Sequence, residues 1–83
     1  MNNDSLKPGE GRVLKEERAA IYRDEQGNLH AVSSMCTHKE CEVTWNGGEK
    51  TWDCPCHGSR FTADGHVIKG PAVEPLPPVS VPD

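Results

Sequence analysis

Cys36-Thr-His-Lys-Glu-Cys-Glu-Val-Thr-Trp-Asn-Gly-Gly-Glu-Lys-Thr-Trp-Asp-Cys-Pro-Cys-His-Gly-Ser59 is the stretch that decides the reading of this chain. It opens with Cys36 and His38 and ends with Cys54 and His57. Cysteine is usually buried or reactive, and histidine is the commonest metal-binding side chain. A Cys–His pair at each end of one segment reads as four ligands for a single metal centre. The segment between them explains how they meet. Glu42 to Trp45 alternates, Asn46-Gly47-Gly48 turns, and Lys50 to Asp53 returns, which is a β-hairpin. Its two ends lie side by side, so the loops 35–41 and 54–59 come to one end of a sheet.

Outward from that hairpin the same pattern repeats. Arg18 to Arg23 and Leu29 to Ser33 flank Asp24-Glu25-Gln26-Gly27-Asn28, and Arg60 to Ala63 and His66 to Lys69 flank Asp64-Gly65. The second of these turns is a pair compatible with type I′. Arg12 to Lys15 reads as a first strand, and Val73 to Leu76 as a last edge strand. A competing reading makes Lys15 to Ala20 a helical turn on propensity. Pro75, Pro77, Pro78 and Pro82 keep the end of the chain extended and out of any central strand. Short strands with turn signals about every ten residues predict an all-β domain of antiparallel sheets. Its expected limits are a disordered stretch or linker over residues 1–5, a domain over 6–76 and a Pro-rich tail over 77–83.

Composition narrows the function. The chain has 83 residues and a formal charge of −4. One domain of this size has a modest core and gains from a metal or a disulfide. The acidic balance argues against nucleic acid as a partner. No apolar run approaches the roughly 20 residues of a membrane helix, and Met1-Asn-Asn-Asp-Ser has no signal-peptide core. A cytoplasmic protein away from the membrane is the expectation.

The donor set has two readings. Four ligands can hold zinc, but structural zinc sites commonly pair cysteine with cysteine and histidine with histidine. Here each loop mixes the two, which suits a two-iron cluster with cysteines on one iron and histidines on the other. Cys41 and Cys56 are further cysteines, one per loop, for which a zinc site has no use. They read as a bridged pair or as two buried thiols. No Cys-x-x-Cys motif is present, and Cys54-Pro-Cys56-His57 is one residue short of the haem-attachment pattern.

Cys-Thr-His-Lys-Glu-Cys (36–41) and Cys-Pro-Cys-His-Gly-Ser (54–59) resemble the two boxes of the Rieske iron–sulfur family, in the version with extra cysteines. Gly70-Pro71-Ala72 resembles the family's proline loop. The resemblance implies a [2Fe–2S] cluster with Cys36 and Cys54 on one iron and His38 and His57 on the other. It also implies a Cys41–Cys56 disulfide, and a cluster-binding subdomain of two loops on a base of antiparallel sheets. Two thiolates in place of four leave a less negative site, which accepts an electron more readily. Rieske centres accordingly span roughly −150 to +300 mV, against roughly −400 mV for plant-type ferredoxins. Ser59 stands where the family often places a hydroxyl on a bridging sulfide. Phe61 stands where high-potential members have a tyrosine whose hydroxyl bonds a cysteine sulfur, so the resemblance implies an intermediate potential.

The remaining candidates have plainer roles. His30 and His66 lie outside both boxes and read as hairpin or surface residues. Trp45 and Trp52 read as core or cross-strand partners rather than electron relays. Gly58 and Gly70 read as backbone positions close to the site. The run from Trp45 through Phe61 is similar to the C-terminal Rieske domain of bacterial flavin-dependent oxidoreductases. That similarity implies one-electron transfer to or from a flavin domain or another redox protein. The alternatives are a free-standing Rieske ferredoxin serving an oxygenase, whose relatives usually lack the two extra cysteines, and a non-redox binding domain stabilised by metal.

Overall fold

The computed structural model describes residues 6–37 and 41–81. The expected linker 1–5, the candidate ligand His38 and the end of the tail at Pro82 and Asp83 lie outside the described residues. Seven strands are present, β1 (Gly11–Leu14), β2 (Ala19–Arg23), β3 (Leu29–Ser33), β4 (Thr44–Asn46), β5 (Thr51–Asp53), β6 (Arg60–Thr62) and β7 (Val67–Lys69). They form two antiparallel sheets, β1-β2-β3 and β4-β5-β6-β7, and the described residues contain no helix. The all-β expectation holds, and so do the three hairpins, each with its ends moved by a residue or two.

Period-two alternation decides what each sheet buries. In β2, Ala20 and Tyr22 face a core shared with Val32, Val43, Trp52, Phe61 and Leu76. Ala19 and Ile21 point the other way, into a smaller cluster with Leu6, Leu29, Val79 and Val81. The first sheet is therefore covered on both faces, by the second sheet on one and by segments near both ends of the chain on the other. Trp52 and Phe61 face each other across β5 and β6, and both are fully buried. Removing one such aromatic side chain from water contributes about 1.5–3 kcal/mol.

The turns differ from expectation in detail. Asp64-Gly65 is not a type I′ pair, because Gly65 (φ 93°) has a left-handed backbone and Asp64 does not. Gly65 N–H donates to Thr62 O at 2.8 Å, and Thr62 N–H to His66 O at 2.7 Å. That is the longer hairpin turn in which one left-handed glycine follows an ordinary turn. A Cβ on Gly65 would also lie 2.9 Å from the Leu76 carbonyl oxygen. In the β4–β5 turn neither glycine is left-handed; Lys50 (φ 58°) is. Asn46 Oδ1 accepts the N–H groups of Gly48 and Glu49 and fixes that turn from its first residue. Lys15–Arg18 is a turn between β1 and β2 rather than a helical turn, with Arg18 N–H donating to Lys15 O.

Val73–Leu76 is not a strand. The open edge of β3 is taken by the next residues instead. Ser33 N–H donates to Pro77 O at 2.7 Å, Val79 N–H donates to Ala31 O at 3.1 Å, and Pro78 pairs with Val32. Proline has no N–H to donate, so this pairing uses the Pro77 carbonyl and the Val79 amide. The proline-rich segment thus joins the fold at an edge, where such a sequence is tolerated.

Candidate metal centre

The two loops are closed in the same way. Cys36 N–H donates to Cys41 O at 2.8 Å, and Cys54 N–H donates to Ser59 O, also at 2.8 Å. Beneath the first loop, Met35 pairs with Glu42 and Val43 N–H donates to Ser34 O. Beneath the second lie the ends of β5 and β6, where Asp53 faces Arg60. Gly58 N–H turns back to Cys54 O at 3.0 Å, with a left-handed backbone (φ 81°) at Gly58. Each box is thus a short loop pinned across its own base.

A disulfide joins Cys41 to Cys56, with an S–S distance of 2.02 Å and Cα atoms 6.4 Å apart. The reading of two buried thiols is set aside by this bond. Cys36 and Cys54 remain outside it, 3% and 2% exposed, in the same core cluster as Trp52 and Phe61. His57 is exposed. The second loop thus points one candidate donor into the protein and presents another at its surface. His30 sits in the first sheet, with Nε2 2.8 Å from Asp24 Oδ2 and Nδ1 3.3 Å from Asp64 Oδ1. His66 is an exposed turn residue. Trp45 and Trp52 stack in a tilted pair, 4.7 Å between ring centroids, as cross-strand neighbours.

The segment after β7 is bonded to both loops. Ala72 N–H donates to the buried Ser59 Oγ at 3.0 Å, and Thr37 Oγ1 donates to Glu74 O at 2.6 Å. Since Ser59 Oγ accepts, its own hydroxyl proton stays available to a second partner. Thr37 was not singled out in the sequence; its place between two candidate ligands was the available signal.

Asp53 is the other residue that sequence reading passed over. Its Oδ1 accepts from Thr51 Oγ1 (2.7 Å) and Arg60 Nε (3.2 Å), and its Oδ2 from Asn46 Nδ2 (2.9 Å). Burial alone would raise its pKa. The hydrogen bonds from Asn46, Thr51 and Arg60, with the guanidinium charge, outweigh that and hold the carboxyl below its ordinary range.

The donor types fit a two-iron group, whose mixed ligand set is two thiolates and two imidazoles. Among the described residues no three Cys, His, Asp or Glu side chains converge on one metal position. A two-iron core spreads its ligands over two metals, so such convergence is not required of it. The buried sulfurs of Cys36 and Cys54 would suit an iron, since a buried thiolate needs a cation to compensate it.

Comparison with known proteins agrees with that chemistry. The chain is 53% identical over 75 residues to YhfW of Bacillus subtilis (strain 168), described as a Rieske 2Fe-2S iron–sulfur protein; the match covers 88% of this chain and 15% of YhfW. This chain therefore spans a small part of that relative's length. The plasma membrane Rieske protein PetC3 from Synechocystis PCC 6803 superposes with a TM-score of 0.73 at 34% identity, over 84% of this chain and 72% of that one. The ferredoxin of carbazole 1,9a-dioxygenase from Nocardioides aromaticivorans IC177 gives a TM-score of 0.69 at 25% identity, over 94% and 80%. The Rieske [2Fe-2S] domain family model matches residues 1–80. With its two pinned loops, its bridging disulfide and this match along nearly the whole length, the chain belongs to the Rieske [2Fe–2S] domain family, whose members carry electrons on an iron–sulfur cluster.

Proposed function

We propose that this domain passes single electrons through a [2Fe–2S] cluster held by Cys36 and Cys54 on one iron and His38 and His57 on the other, within a flavin-dependent oxidoreductase. The observation that carries the ligand assignment is the Cys41–Cys56 disulfide, which holds the two boxes side by side. The bound cluster supplies one-electron redox chemistry. The chain supplies its setting. Cys36 and Cys54 are buried among Val43, Trp52 and Phe61, which keeps water from the sulfur side. His57 lies at the surface, where an electron can pass to a docked partner. Ser59 has a hydroxyl proton to direct at the cluster, which spreads negative charge and raises the potential. Phe61, fully buried beside the cysteines, has no hydroxyl to add to that.

The flavin context is supported by the resemblance of the Trp45–Phe61 run to Rieske domains of flavin enzymes. A second reading, a ferredoxin serving an oxygenase, is favoured by the superposition on the dioxygenase ferredoxin. The disulfide weighs against it, since such ferredoxins usually lack the two extra cysteines. The test is to produce the protein with iron and sulfide and record its visible and electron-spin spectra during a redox titration. A reddish-brown protein with a Rieske-type signal, and a potential between the respiratory members and the disulfide-free ferredoxins, is the expected result. A colourless zinc protein would overturn the assignment. Reduction by a flavoprotein, tested against an oxygenase component, separates the two electron-transfer readings.

A further inference from the structure

We infer that Asp53 and Arg60 are positioning residues of the redox site, a mutually neutralising pair that closes the second ligand loop and sets the electrostatic level at which the site accepts an electron. The inference rests on the ligand roles proposed above for Cys54 and His57. Asp53 and Arg60 are the last facing pair of β5 and β6, and the next residues inward, Cys54 and Ser59, already belong to the loop. No residue intervenes between the carboxylate-bearing position and a candidate iron ligand, or between the guanidinium-bearing position and Ser59.

The pair is built rather than incidental. The Asp53 carboxylate takes donors from three strands, Asn46 Nδ2 on β4, Thr51 Oγ1 on β5 and Arg60 Nε on β6. Arg60 also reaches Thr51 Oγ1 with a terminal nitrogen at 3.4 Å. Asn46 has its Oδ1 committed to the β4–β5 turn, which aims its amide nitrogen at Asp53. Both charged side chains are about one-third exposed, 29% for Asp53 and 34% for Arg60. Solvent therefore screens the pair only in part. A carboxylate beside the loop opposes the arrival of an electron, and the guanidinium opposite it cancels most of that opposition.

The two halves must then act with opposite sign. Asp53→Asn keeps the shape and leaves Arg60 uncompensated, so the reduced form gains and the potential rises. Arg60→Gln leaves Asp53 uncompensated, so the potential falls. Each should change the ratio of reduced to oxidised protein at fixed applied potential on the order of threefold to tenfold, the range expected of one charge at partly screened distance. Arg60→Lys keeps the charge and stays near the native ratio, and the double variant Asp53→Asn/Arg60→Gln returns toward it. The experiment is a redox titration of the cluster-loaded native protein and these four variants, with the electron-spin signal recorded beside it. A pair that only staples the hairpin would move both single variants the same way, or move neither, and either result overturns the inference. If the native protein itself shows no Rieske signal, the ligand assignment fails and this inference falls with it.

Discussion

Gly11 packs against the indole of Trp45, so close that a Cβ at residue 11 would overlap the ring carbons. This is where β1 meets β4 and the first sheet meets the second. Trp45 in turn stacks on Trp52 and on Tyr22, whose ring centroid is 5.2 Å away. Gly11→Ala must push the indole or the strand aside. Overpacking of this kind costs about 1–3 kcal/mol. Denaturant unfolding should show the loss, and near-ultraviolet dichroism should report a displaced tryptophan. An unchanged midpoint would mean that the sheets part without cost.

Removing the disulfide should cost stability and loosen the site together. The bridge closes a loop with a sequence separation of 15, for which chain entropy alone accounts for about 3 kcal/mol. A variant with Cys41→Ser and Cys56→Ser should unfold at lower denaturant and release iron faster on dilution. Iron loss at the native rate would show that the loops are held by their own backbone bonds.

Ser59→Ala separates two roles of one hydroxyl. The Ala72 N–H would lose its buried acceptor, at about 1–3 kcal/mol of stability. If the Ser59 proton also bonds the cluster, the potential falls as well. Thermal unfolding and a redox titration on the same sample decide the matter. A stability loss with an unmoved potential would confine Ser59 to holding the segment after β7.

The acid limit of stability should trace in part to Asp24. Its carboxyl is held below the ordinary range, first by the hydrogen bond to the His30 ring and then by the Asn28 N–H. A carboxyl depressed in the folded state lends stability above its unfolded pKa, about 3.9, and that stability is lost as pH falls through the folded value. Asp24→Asn should therefore be less stable than the native protein near neutrality. The gap should close as pH drops below about 4. Urea unfolding of both proteins from acid to neutral pH measures it, and a gap independent of pH would rule Asp24 out.

Much of the fold is legible in the sequence. Trp45 and Trp52 were placed as cross-strand partners because Asn46-Gly47-Gly48 marks a turn, and turn residues speak locally. The handedness within the turns was not legible. Lys50 and Arg18 take left-handed backbones that their side chains do not advertise. Val73–Leu76 has the composition of a strand, yet Val73 is 84% exposed and Leu76 N–H bonds the Gly65 carbonyl. The free edge of β3 lay two residues further on, among prolines whose lack of N–H groups argues against pairing until the partner edge is known. At the site, the two Cys–His pairs are legible from residue type and the hairpin between them, whereas the assignment to two irons and the closed Cys41–Cys56 bridge come from the resemblance. The Asp53–Arg60 contact came only from register, because it depends on which residues of two strands stand opposite.

The segment from Ala72 to Val79 touches the second loop through Ser59, the first through Thr37, the β6–β7 turn through Gly65 and the edge of β3 through Ser33 and Ala31. Release of the whole segment would free bonds of both sheets and both boxes at once. Hydrogen exchange would see this as one cooperative opening unit. The amides of Ser33, Ala72, Leu76 and Val79 would trade their protons at a common rate, and that one opening would unmake the site.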